Sequence, residues 1–430
     1  MKHKIIISIT MVLTLCGTVA AQERVRMSLD SCLRYAYSHN ITLQNAQLNR
    51  ESAEAALSGA KMNFLPALNA SASQGWAWNE GHSHSSSYGL NGSLTLFDGL
   101  SYVRNYQQAK LSQQQSDLTA RQSQNTVAAK IISAYLTIVM NEEKLSYQQE
   151  VLETTRQQQS EGELKFRVGK ILESDYRLLE ANYLSAKAEI ENTRLTIDNN
   201  RRELRDLMCM PAGQTVEVAM ASNDSVDADA IPTYNELLQA SKESMPDWEL
   251  GRLEVEKARC NVELARASFL PSLSLNAGMS YNNGEQNLNG TTLAIDGGLN
   301  KSVSLGLNIP LFDRGSTVTK FRQSKLSLRQ AELNYQQDTI DIEATLHKQY
   351  NETLQALNSF RKTKTMSEAY HASYDVYKLK YKEGAITTVE MLQQQDKYLS
   401  ALNEYLMSKY TFILAQKQLE IYMGKLKVEN

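Results

Sequence analysis

Four short segments of this chain alternate apolar residues with small uncharged ones, and that pattern restricts the possible folds more than any other feature. In 68–78, Leu68, Ala70, Ala72, Trp76 and Trp78 point one way; Asn69, Ser71, Ser73 and Gly75 point the other. In 88–96, Tyr88, Leu90, Leu94 and Leu96 alternate with Gly89, Asn91, Ser93 and Thr95. In 273–281, Leu273, Leu275, Ala277, Met279 and Tyr281 alternate with Ser274, Asn276, Gly278 and Ser280. In 303–309, Val303, Leu305, Leu307 and Ile309 alternate with Ser304, Gly306 and Asn308. Such strands suit a soluble sandwich with one wet face. They equally suit a transmembrane barrel, apolar outside and polar inside, whose strands need about 9–11 residues. Trp76, Trp78 and Tyr281 near the strand ends favour the barrel. Four strands cannot close, because the smallest such barrels have about eight. An open edge in lipid would leave backbone groups unpaired, so closure requires several chains.

The chain repeats itself. Phe64-Leu65-Pro66 recurs as Phe269-Leu270-Pro271, and Ser28-Leu29 matches Thr233-Tyr234, both 205 residues later. Leu96-Phe97-Asp98 recurs as Leu311-Phe312-Asp313, and Phe166-Arg167-Val168-Gly169 matches Tyr381-Lys382-Glu383-Gly384, both 215 residues later. The second copy therefore carries ten extra residues between the two strand motifs. The expected organisation is a first repeat over 22–210, an acidic linker or side element over 211–231, a second repeat over 232–424 and a tail over 425–430. Strands are expected near 67–80, 87–97, 272–282 and 301–310, with outer turns at 79–87 and 282–300. Pro66 and Pro271 end helices and mark entry into strands, since proline lacks the amide a helix interior needs. Asp98 and Asp313 are expected as N-caps of the helices that follow.

Each half has a short helix, a medium helix, two strands, a very long helix and a return helix. No Pro or Gly interrupts the chain between Gly99 and Gly162. A helix over 104–164 is about 90 Å long at 1.5 Å per residue. The return helix over 172–209 is shorter by about the length of 42–63, so 42–63 should stack end to end with it. The second half repeats this with 316–380, 386–423 and 246–267. Leu326, Leu333 and Ile340 are seven apart, as are Leu392, Leu399, Leu406 and Ile413, and Tyr183, Ile190, Ile197 and Leu204. Sevenfold spacing is the mark of coiled-coil packing.

Residues 1–21 have a basic end (Lys2, His3, Lys4), an apolar run from Ile5 to Leu15 and small residues at Val19-Ala20-Ala21. They read as a signal peptide, too short to span a bilayer. A lipid on Cys16 is disfavoured by Thr14-Leu15 before it. Its removal takes the formal charge of −3 to −5, because Lys2 and Lys4 leave with it. That balance gives no footprint for nucleic acid. Cys32, Cys209 and Cys260 are an odd number on helical stretches and imply no disulfide framework.

The tandem halves, the Phe-Leu-Pro strand starts, the LFDG and LFDRG strand exits and the turns FRVGKILESDYRLLEAN and YKEGAITTVEMLQQQ resemble the TolC-like outer-membrane efflux proteins. The resemblance covers nearly the whole mature chain. It implies a mainly α chain with a transmembrane β part: long helical hairpins in a periplasmic α-barrel, and four strands per chain in a twelve-stranded trimeric barrel in outer-membrane lipid. It implies an exit duct for drugs, metals or proteins, working with a periplasmic adaptor and an inner-membrane pump of RND or ABC type, and no cofactor. In that family the periplasmic tip is ringed by acids. The first falls on Glu390; the second falls on Gln393, a neutral departure. A tip tyrosine matches Tyr381, while its arginine partner falls on Ile386. By the internal repeat Asp175 corresponds to Glu390. Three copies of Glu390 around an axis would favour cations; alternatively both acids serve their helix N-termini. Arg167, Gly169, Lys382 and Gly384 at the turn tips are the implied adaptor contacts.

Enzymatic readings find little support. Glu80, His82 and His84 could bind a metal, but their Gly/Ser-rich surroundings read as a loop. There is no nucleophile elbow, zinc-spaced His/Cys set or phosphate loop. The competing class is a non-transporting periplasmic coiled-coil scaffold or adhesin.

Overall fold

The computed structural model describes residues 23–78, 82–219, 231–288 and 291–426. The signal peptide, Cys16 and Glu80 lie outside these residues. Eight helices occur among them: α1 (Leu29–His39), α2 (Ile41–Met62), α3 (Ser101–Arg167), α4 (Glu173–Leu207), α5 (Tyr234–Ser244), α6 (Pro246–Ala267), α7 (Ser316–Lys382) and α8 (Thr388–Tyr422). Six strands accompany them: β1 (Glu23–Met27), β2 (Ala67–Trp78), β3 (His82–Phe97), β4 (Gln214–Val218), β5 (Ser272–Leu288) and β6 (Thr291–Asn308). The two longest helices have 67 residues each, about 100 Å at the usual rise.

The chain forms two compact units. One holds the chain up to Asn45, Arg121–Met245 and the chain from Ile342 onward. Its core joins Ile131, Ile132 and Ile138 of α3 to Leu204 of α4, Leu33 of α1 and Val216 of β4. A second cluster stacks Phe360 of α7 on Phe412 of α8. β1 pairs in parallel with β4, and the Tyr135 hydroxyl donates to the Ala219 carbonyl beyond it at 2.6 Å. The segment read as a linker therefore contributes a strand, and β1 was not expected. Their pairing joins residues 191 positions apart, as Glu23 with Gln214, which no local pattern encodes.

The expected end-to-end stacking of α2 on α4 has a concrete joint. The Asn40 side-chain amide donates to the Leu207 carbonyl at 2.7 Å, at the end of α4. Its Oδ1 accepts from the Thr42 and Leu43 amides that open α2, at 2.8 and 3.2 Å. One side chain thus satisfies groups left open at both helix ends. In the second half the Ser244 hydroxyl donates to the Tyr422 carbonyl at 2.9 Å.

The other unit holds Ala46–Ala120 and Pro246–Asp341. Its sheet has the antiparallel order β2-β3-β5-β6. Its helices follow the same order. Arg50 of α2 meets Asp117 of α3 at 3.4 Å. Gln108 of α3 bonds Asn261 of α6 at 2.9 Å, and Phe269 beyond α6 meets Phe321 of α7 edge to face. The outer helices are left bare. Leu326, Leu333 and Ile340 of α7 are exposed, as are Leu48, Ala55 and Met62 at the same spacing on α2. The first of the expected heptads therefore has no apolar partner face within the chain, whereas Ile190, Ile197 and Leu204 are buried.

Two expectations are corrected. The strands run further than their apolar alternation. Residues 82–87 belong to β3, and most of 282–300 belongs to β5 and β6. Ladder hydrogen bonds do not require apolar side chains, so polar strands can continue beyond an apolar band. Asp98 and Asp313 stand three residues ahead of their helices rather than at the N-cap. Each still reaches in: Asp98 accepts from the Tyr102 amide and Asp313 from the Thr317 amide, both at 2.6 Å. The offset arises from left-handed turns at Gly99-Leu100 and Arg314-Gly315.

Gly99 is confined as well as left-handed. A Cβ there would lie 2.6 Å from the Ala267 carbonyl oxygen and 2.9 Å from Leu270 Cβ. Gly169 has a similar φ of +73° but open space around it. Gly99→Ala should therefore destabilise clearly more than Gly169→Ala, which costs about 1–2 kcal/mol of left-handed strain alone. Thermal unfolding in detergent, followed by helical circular dichroism, gives the ranking.

Candidate functional site

Two regions stand out: the four-stranded wall, and the helix-helix turns at the far ends of the long hairpins. In the wall, paired residues share a face. One face carries Leu68, Ala70 and Ala72 on β2, Leu90 and Tyr88 on β3, Leu275, Met279 and Tyr281 on β5 and Leu299, Val303 and Leu305 on β6. The opposite face carries Asn69 and Ser71, Asn91 and Gly89, Asn276 and Gly278, and Ser302 and Ser304. Every residue of β2 is exposed on both faces. The apolar face has no core to pack against; its main band is closed by the cross-strand pair Tyr88–Tyr281, beyond which Gln74, Ser86 and Asn283 form a polar row and Trp76 and Trp78 follow on β2. An outward apolar band closed by an aromatic girdle is the wall of a membrane barrel. Pro66 and Pro271 immediately precede β2 and β5. Small residues suit the crowded polar face: a Cβ on Gly278 would lie 2.8 Å from Asn91 Oδ1.

The turns repeat each other in backbone and differ in fastening. Gly169 and Gly384 both adopt left-handed φ, +73° and +74°. Arg167 closes α3 and pairs with Glu163 one turn back at 2.5 Å; Lys382 closes α7 and is exposed. In the second turn Thr387 and Glu390 form a capping box. The Thr387 amide and hydroxyl donate to Glu390 Oε2 at 2.8 and 2.9 Å, and Thr387 Oγ1 accepts from the Glu390 amide at 3.3 Å. These bonds hold the exposed Glu390 carboxyl below the usual carboxylate range, led by the Thr387 amide. In the first turn Leu172 occupies the N-cap without a side-chain bond, and Phe166 stacks on Tyr176 at 5.7 Å instead. Asp175 is half-buried in the first turn of α4 and Gln393 is exposed on α8.

The structure also joins the two hairpins near these turns. Lys165 of α3 lies over the Tyr381 ring at 4.6 Å. The buried Gln158 of α3 donates to the Tyr374 hydroxyl of α7 at 3.2 Å, and Tyr374 donates to the buried Gln395 of α8 at 3.5 Å. Sequence reasoning missed this polar seam, whose members are 21 to 237 positions apart and carry no local motif.

A chain with a lipid-facing wall and long paired helices is, as a class, a subunit of an outer-membrane channel. The family model for outer membrane efflux proteins matches residues 33–209 and 237–425, and the chain belongs to that family. It is 22% identical over 400 residues to the outer membrane protein TolC of Salmonella enteritidis, covering 91% of this chain and 80% of TolC. It is 22% identical over 332 residues to the alkaline protease secretion protein AprF of Pseudomonas aeruginosa, covering 77% and 68%. Its fold is that of the Campylobacter jejuni CmeC outer membrane channel, with a TM-score of 0.74 at 21% identity over 92% of this chain and 85% of that one. The fold is mainly α with a transmembrane β part, the location is the outer membrane, and the function is that of an exit duct for efflux or type I secretion. The family is one of transport proteins.

The depressed Glu390 pKa sets the pH range of its cap. A carboxyl held below its unfolded value stabilises fully above that value and loses the contribution as pH falls through the folded one. The protection factor of the Thr387 amide should therefore hold through the ordinary glutamate range and fall only at lower pH. In Glu390→Gln this acid-side step should disappear.

Proposed function

We propose that three copies of this chain close one twelve-stranded barrel and one helical tunnel, a passive duct opened by partners at its periplasmic tip. The observation that carries this reading is the four-stranded wall, apolar on its outward face and unpaired along both β2 and β6. Unpaired strand edges are not tolerated in hydrocarbon. A head-to-tail contact repeated around a threefold axis covers both edges with one interface. The partners are a periplasmic adaptor, meeting the turn tips at Arg167, Gly169, Lys382 and Gly384, and an inner-membrane pump of RND or ABC type. AprF, by its name, serves protease secretion, and this supports cargo delivered by such a pump.

At the tip, Glu390 and Asp175 supply negative charge, with Gln393 a neutral neighbour and Tyr381 part of the closing contacts. The exposure of Glu390 and its low pKa keep it ionised at neutral pH while it caps α8. Its carboxylates, repeated three times, would favour cations at the constriction. The protein should fractionate with outer membrane, run as a trimer in mild detergent and conduct ions in planar bilayers; a soluble periplasmic monomer would refute the duct. In Glu390→Gln, cation selectivity or block by divalent cations should weaken, and unchanged behaviour would remove Glu390 from the gate.

A further inference from the structure

The two hairpins match residue for residue up to the pairs Trp76–His84 and Tyr281–Leu299, beyond which β5 shifts register on β6. β2 and β3 pair Leu68 with Gly92, Ala70 with Leu90 and Trp76 with His84. Shifting the first member by 205 and the second by 215 gives Leu273 with Leu307, Leu275 with Leu305 and Tyr281 with Leu299, all pairs of β5 and β6. Inside the chain the hairpins join through β3 on β5, pairing Ser87 with Asn282, Ser86 with Asn283 and Tyr88 with Tyr281. The strand exit joins too, since Gly99 sits against Ala267 and Leu270. The counterpart of this junction, β6 beside a β2, is vacant. Leu311 and Phe312 are 90% and 87% exposed, against 50% and 40% for Leu96 and Phe97. Arg314, the counterpart of Gly99, and Gly315 beside it are both left-handed, and nothing lies within 4 Å of a Cβ on Gly315. β6 stops at Asn308, whereas β3 continues to Phe97, the counterpart of Phe312.

We propose that β2 of a second copy of this chain pairs with β6 in the register of the internal β3–β5 junction, placing Lys301 across from Trp78 of the neighbouring copy. The proposal rests on the trimeric reading above. The same shift sets Ser302 opposite Ala77, Ser304 opposite Gly75 and Gly306 opposite Ser73 on the polar face. On the apolar face it sets Val303 opposite Trp76. Among the described residues Lys301 is the one charged side chain within the apolar rows, and it is exposed between Leu299 and Val303. A lysine there is unfavourable in lipid. Directly opposed residues have Cβ atoms about 4.5–5.5 Å apart, within reach of a cation–π contact at about 6 Å from the ring centre. The internal counterpart of this pair is Ser86–Asn283, so lysine meets tryptophan only at the junction between copies. Residues 309–312 then extend β6, and Leu311 and Phe312 cover Phe64 and Leu65 of the neighbour. Pro310 is the counterpart of Thr95, where the β3–β5 ladder bulges, a place that tolerates a missing amide.

The register is tested by oxidising Ser302→Cys/Ala77→Cys and, as a slipped control, Ser302→Cys/Ser73→Cys. A disulfide needs Cα atoms about 4.4–6.8 Å apart; four residues of slip add about 13 Å. The first pair should give covalently linked dimers and trimers on non-reducing gels and the second only monomers. Lys301→Met and Trp78→Leu should each shorten the trimer half-life in dodecyl sulfate about two- to fivefold. The double variant should lose no more than either single one, and Lys301→Arg should keep the parental half-life. A conducting trimer that links through the slipped pair or through neither, or that is indifferent to Lys301→Met, would overturn the register and leave the duct intact. A parent protein that forms no trimer would overturn both.

Discussion

The structure depends on a backbone requirement rather than on any side chain. Peptide groups in hydrocarbon must be paired, and a four-stranded sheet leaves two rows of them open. The exposed apolar face of the wall and the bare heptads of α2 and α7 express the same incompleteness at two levels of the chain. A hydrophobic core cannot resolve it, because the wall has lipid on one side and water on the other. The sheet order β2-β3-β5-β6 and the helix order α2, α3, α6, α7 place the open edges together, so one contact between copies serves both.

Much of this was legible in the sequence because it is written in local patterns. The long helices begin and end within three residues of the expected bounds, since Pro- and Gly-free runs leave few alternatives. The two faces of the strands followed from period-two alternation. Strand length did not: beyond the aromatic girdle the second hairpin gains five residues on β5 and six before the counterpart of His82 on β6, in segments without the regular apolar-polar alternation of the inner strands. The β1–β4 pair, the Lys165–Tyr381 contact and the Gln158–Tyr374–Gln395 seam are products of tertiary packing. Asp98 and Asp313 show an intermediate case. Their chemistry was readable from type and position, but the extra left-handed turn that displaces them was not.

Glu390 illustrates how one carboxylate satisfies two demands. As a capping-box acid it needs only its own helix start, and its bonds to Thr387 suffice to depress its pKa. In the proposed duct the same exposed carboxylate would also act on passing ions, and the cap would serve that role by fixing its position and keeping it charged. A structural role therefore does not count against a functional one.

The two halves share a backbone plan, and their helix-helix turns are fastened differently. The second turn is fastened by a capping box, the first by an aromatic stack, a Gln159–Tyr176 hydrogen bond and exposed ion pairs within each helix. Hydrogen bonds at a helix start fix the entry angle of the chain, whereas exposed ion pairs contribute little. α3 itself is clamped to the second hairpin, at Glu143 by Lys409 and Tyr410 of α8 and at Lys165 by Tyr381 of α7. α4 is tied to α3 by Arg201–Glu142 and Lys144–Glu189 and also runs close to β4 and α8. Duplication supplied two equivalent hairpins, and these side chains give their turns different fastenings.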